Sequence, residues 1–150
     1  MKPVRRICPV IVLLALTSVP ALAGDNCTHK TWNWKVDKKA AMELQQFVND
    51  GHEPWRMDNV ATIAGQAIDD RRKDWDDEST IFEAPKVISE TENVARLDAR
   101  SEDSRVRYEI TLRKYSWLLP SAKENWNWVI WLPASVERTG CRSLGNESTR

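Results

Sequence analysis

Between residues 94 and 113 apolar and polar positions alternate with period two. Val106, Tyr108, Ile110 and Leu112 interleave with Arg105, Arg107, Glu109, Thr111 and Arg113, the signature of an antiparallel strand with one wet face. Ala95, Leu97 and Ala99 repeat the pattern over 93–100, with the polar run 101–104 as the hairpin loop between them. Further on, Asn125 to Leu132 predicts a strand with Trp126, Trp128, Ile130 and Leu132 on the core face and Val129 and Trp131 opposite. Residues 80–82 and 86–89 read as a strand interrupted by Pro85, which suits an edge or a bulge.

Upstream the period is 3.6. Asp37 caps a helix running to about Asn49, with Ala40, Ala41, Leu44, Phe47 and Val48 at helical spacing and Gly51 to stop it. Asp58 caps a second helix presenting Val60, Ile63, Ala64, Ala67 and Ile68, in which Gly65 leaves room for another backbone. The acidic and basic run from Asp69 to Glu78 lacks the spacing that wraps a calcium ion and reads as a solvated helix end and loop. The predicted class is α+β: two N-terminal helices packed on a curved antiparallel sheet of about four strands.

Residues 1–23 stand apart. Lys2, Arg5 and Arg6 precede an apolar core from Ile11 to Leu16, and Ala21-Leu22-Ala23 forms a small-x-small cleavage site. This reads as a secretory signal peptide of bacterial type, directing the product to the periplasm or medium. The remainder divides into a Trp-rich arm (24–36), a single domain (37–141) and a polar tail (142–150). The leader holds three of the 22 basic residues, so the mature chain, with 22 acidic ones, carries a net charge of about −3. That balance argues against nucleic acid as a partner, and no further apolar run predicts a membrane span after cleavage. Asn26-Cys27-Thr28 and Asn146-Glu147-Ser148 match the glycosylation sequon, which matters only in a eukaryotic secretory pathway.

After cleavage two cysteines remain, Cys27 and Cys141, and an oxidising compartment predicts a disulfide between them. The alternative, zinc held by these cysteines with His29 and His52, lacks a second closely spaced ligand pair. No metal and no cofactor is expected.

The order of helices first, hairpins after and a Trp-rich final strand resembles the NTF2-like or cystatin-like α+β roll over about residues 37–137. The resemblance implies a curved sheet that wraps the helices and leaves a cone-shaped pocket. The chain departs from that pattern in lacking a third helix before the strands, in its terminal disulfide, and in placing Trp where enzymes of the group keep an acid–base residue. No catalytic residue is carried over, and fold alone does not assign chemistry.

Eight Trp stand against two Phe and two Tyr. Trp55, Trp75 and Trp131 are the candidates for an exposed binding surface. His52, Asp58 and Tyr108 are the groups from which a pocket acid–base site would be built, although no hydrolase, metalloprotease or phosphate-loop motif occurs. The charged strand face (Arg105, Arg107, Glu109, Arg113, Lys114) is either a solvated face or a docking surface for an acidic partner. The reading that follows is an exported, non-catalytic protein that binds a small ligand or a protein partner. The alternatives are a pocket enzyme using His52 with a carboxylate, and a periplasmic inhibitor or immunity protein.

Overall fold

The computed structural model describes residues 26–142. The leader over 1–23, the second sequon and all of the tail beyond Arg142 lie outside them. Among the described residues the elements run β1 (Asn26–Asn33), α1 (Lys38–Asn49), α2 (Val60–Arg72), β2 (Lys86–Glu90), β3 (Val94–Arg100), β4 (Val106–Arg113) and β5 (Leu132–Arg142), with short 3-10 turns between them. The class is α+β. The strands form one open sheet in the order β1-β5-β4-β3-β2, and every neighbouring pair is antiparallel. No described helix is long and apolar enough to cross a membrane.

The helices begin where small polar side chains can satisfy free amides. Asp37 accepts hydrogen bonds from the Lys39 and Ala40 amides. The second cap is Asn59 rather than Asp58: its side chain accepts from the Thr62 amide at 3.0 Å, while Asp58 is exposed one residue earlier. The apolar stripe of α2 packs on the inner sheet face, where Ala95, Leu97, Ala99, Tyr108, Ile110, Leu112 and Val136 are buried. The expected inward sets of β3 and β4 are therefore the observed ones. Gly65 serves no close approach, since a Cβ there would meet nothing within 4 Å. Gly65→Ala should stabilise the protein by about 1 kcal/mol through helix propensity, read as a higher urea midpoint with an unchanged slope.

The sheet has five strands, one more than expected. Asn26–Asn33 is strand β1, an edge paired with β5 from Asn26↔Arg142 to Asn33↔Ser135. Its polar residues carry no inward apolar repeat, which is why the pattern shows only an arm. Cys27 lies opposite Cys141 in this register, and the two form a disulfide with an S–S distance of 2.06 Å. Such a bond is compatible with an extracellular location.

The segment before β5 is a correction. Residues 125–131 are not a strand: Lys123 and Glu124 both have left-handed backbones, and Trp126–Trp128 is a 3-10 turn in which the Asn125 side chain accepts from the Asn127 amide. Period two fails here because the chain passes between two layers. Val129, Ile130 and Leu132 pack with Ala41, Val48 and Leu118 in a second core beside α1, whereas Trp131 enters the first core under α2. Trp126 is only half-buried and Trp128 is 43% exposed, so neither is the core filler its spacing suggests. Gln45, fully buried on α1, fastens the passage by donating to the Trp128 carbonyl and accepting from the Ile130 amide.

Candidate functional site

The inner face of the sheet changes character toward one end. In β5 the residues following Val136 on that face are Arg138 and Gly140, opposite Tyr108 and Val106 of β4 and opposite Lys30 and Thr28 of β1. The apolar floor thus gives way to cations, a hydroxyl and a glycine. The loop after α2 folds over this end and places Asp77 against it. Arg72 holds that loop, donating to the carbonyls of Asp77, Glu78 and Thr80.

Asp77 is 4% exposed and fully engaged. Arg138 meets it bidentately, Nε to Oδ2 at 2.5 Å and Nη2 to Oδ1 at 2.7 Å, and the Tyr108 hydroxyl donates to Oδ2 at 2.5 Å. Burial pushes the Asp77 carboxyl up, but the hydrogen bonds from Arg138 and Tyr108 and the charges of Arg138 and Lys30 outweigh it and hold the group below its usual range. Burial, then the bond to Asp77, pushes the Tyr108 phenol up and keeps it protonated. Trp75 stacks on Tyr108 with ring centroids 5.8 Å apart, and Phe82 tilts against it at 4.9 Å. A Cβ at Gly140 would lie 2.3 Å from Arg138 Nη1, so a larger residue there would push the guanidinium from its present seat.

Beside this cluster opens a cleft of about 900 Å³, bordered by the disulfide, Thr28, Lys30, Arg105, Arg138 and the turn at Asp76 and Asp77. Its rim carries Asp103, which accepts from the Ser101 hydroxyl and the Arg105 amide.

The depressed Asp77 carboxyl has a consequence for stability. A carboxyl more acidic in the folded than in the unfolded protein contributes stability above the unfolded value, near 4, and this is lost as pH falls through the folded value. The unfolding free energy of the wild type minus that of Asp77→Asn should therefore be constant from about pH 5 to 8 and shrink below about pH 4. Urea denaturation at pH 7 and pH 3 measures it. Asp98, where burial is outweighed by Arg107 and Arg100, adds a loss of the same sign to the wild type and the variant alike.

Of the predicted binding tryptophans, Trp75 and Trp131 are not exposed. Trp75 is 9% exposed in the core, though one edge reaches the cleft. Trp131 is 2% exposed, with the Lys114 ammonium 4.8 Å from its ring centroid. Trp55 is half-buried with the Arg56 guanidinium over its ring at 4.6 Å. The structure does not assemble His52 with Tyr108. His52 is exposed and stacks on Phe47 at 4.3 Å, Asp58 is exposed, and Tyr108 spends its hydroxyl on Asp77. What it does bring together from the sequence candidates is Trp75 and Tyr108.

The Asp69–Glu78 run is correspondingly not all solvated, since Trp75 and Asp77 are buried within it. Lys114 also leaves the wet face: it is buried and donates to the Trp126 carbonyl at 2.8 Å. On the outer face Arg96 pairs with Glu109 and Arg107 with both Asp98 and Glu109, so the arginines there are largely neutralised by their own sheet. Sequence reasoning missed Asp77 and Arg138. Asp77 stands among five other acids within ten residues, and Arg138 in a stretch with one inward apolar residue, Val136. A polar residue in phase with the inward face of a central strand is the one signal that was there to find.

No protein-family model, curated protein or solved structure matches the chain.

Proposed function

We propose that the protein is an exported, non-catalytic binding protein that takes a small polar ligand in the cleft between the 73–80 loop and the adjoining ends of β1, β5 and β4. The observation that carries this reading is the abrupt change of the inner sheet face from apolar to charged at the cleft, with Asp77 and Arg138 fixed at its wall. A hydrogen-bonded, charged wall costs stability relative to an apolar one and suits orientation of a polar ligand. Both Asp77 oxygens are occupied and its carboxyl stays ionised, which fits a structural and binding role better than proton transfer. The sequence pattern over 1–23 and the disulfide support export to the periplasm or medium.

Trp75 provides the test, because it touches both Tyr108 and the cleft. A panel of amino acids, dipeptides, sugars and sugar phosphates should contain ligands that raise the melting temperature and alter tryptophan emission. That spectral change should disappear in Trp75→Phe while the thermal shift persists. If no member of the panel gives a Trp75-dependent change, the cleft is not a binding site.

A further inference from the structure

Resting on the cleft reading above, we infer that the β1–β5 side of the cleft binds an oxyanion, a carboxylate or a phosphate group, between Lys30, the edge of the Arg138 guanidinium turned away from Asp77 and the Thr28 hydroxyl. Arg138 spends two of its N–H groups on Asp77 through Nε and Nη2. Its Nη1 edge reaches only Thr28 Oγ1, at a long 3.4 Å. A guanidinium carries five donors in a planar fork, so the edge away from Asp77 still has donors to give.

Lys30 is the residue opposite Arg138 in the β1–β5 register, and both border the cleft. Two cations thus attend one carboxylate, and the inner wall keeps one positive charge in excess. Thr28, one inward position further along β1, borders the same edge, and its hydroxyl donates to the Gly140 carbonyl at 3.3 Å, a long bond that it would exchange for one to the oxyanion. Charge-assisted hydrogen bonds from such a group to an oxyanion are the strong kind.

The rim narrows the class. Asp76 and Asp103 also border the cleft, and both are exposed. Asp103 pairs with Arg105 on the same rim at 3.5 Å, and the charge of Asp76 that remains fits a single oxyanion better than a polyanion.

The experiment follows the backbone amides of Thr28, Lys30 and Gly140 by NMR at constant ionic strength. Acetate, inorganic phosphate and N-acetylglucosamine are titrated separately against a chloride background. Acetate or phosphate should shift these amides in a saturable way, and whichever binds more tightly identifies the group. Lys30→Gln should weaken that binding at least about tenfold, while Lys39→Gln, an exposed change on α1, should leave it intact. Equal binding in Lys30→Gln would overturn the inference, as would shifts produced by N-acetylglucosamine alone, an outcome that would leave the cleft a binding site for neutral ligands. Absence of any shift would overturn the inference, and Trp75-dependent binding from the wider panel would then show whether the cleft reading survives.

Discussion

Arg138→Ala should destabilise the protein by about 3–5 kcal/mol, the cost of leaving a buried charge without its partner. The Arg138 side chain is 11% exposed and that of Asp77 6%, so the pair is largely shielded from solvent. Removal of the guanidinium leaves Oδ1 of Asp77 without a donor and Oδ2 with Tyr108 alone. The double variant Asp77→Leu/Arg138→Met is the informative control. Replacing both members by apolar groups of similar size removes the orphaned charge and should recover much of the loss. Urea denaturation at pH 7 gives all three free energies. A cost below about 1 kcal/mol for Arg138→Ala would mean that the pair is solvated in solution and behaves as a surface ion pair.

Loss of the disulfide should have a comparable effect. Cys27 and Cys141 are 114 residues apart, so the bond closes almost the whole domain into one loop. Chain-entropy reasoning gives about 4–5 kcal/mol for a loop of this size. Cys27→Ser/Cys141→Ser should lower the urea midpoint accordingly, and reduction of the wild type should reproduce the shift. A free-thiol assay on the unfolded, unreduced protein should find none from this pair. Since domains of this size are stable by only about 5–15 kcal/mol in total, either change consumes a large part of the margin. The two are also coupled through β1. That edge strand buries little apolar surface, and the disulfide holds Thr28 and Lys30 against β5.

The elements legible from the chain are those whose burial is one-sided and regular. α2, β3 and β4 each pack one face against a single layer, so their apolar residues recur at the element's own period, whereas α1 follows it less strictly, with Ala40 and Phe47 exposed and Gln45 buried. β5 defeats the same logic while lying near the middle of the sheet. Its inward residues beyond Val136 are Arg138 and Gly140, chosen for the Asp77 contact and not for apolar burial. Residues 129–132 defeat it in the opposite way, being buried on all sides as they cross between two cores. Trp131 falls on an outer face only if alternation runs through 125–131, and that segment is not a strand. The disulfide was readable from cysteine arithmetic alone. The cleft was not, because it is assembled from β1, β5 and a loop more than forty residues from either, and sequence spacing does not report that proximity.

The placement of β5 between β1 and β4 also fixes an order of assembly. The meander β2-β3-β4 joins neighbours in the chain and can form as soon as its hairpins exist, whereas β1 has no strand to pair with until the last one is present. Contacts of such long sequence separation form slowly. A nascent chain therefore carries Cys27 and the whole of β1 unpaired until residue 141 has been made, and closure of the sheet and oxidation of the thiols become one late event.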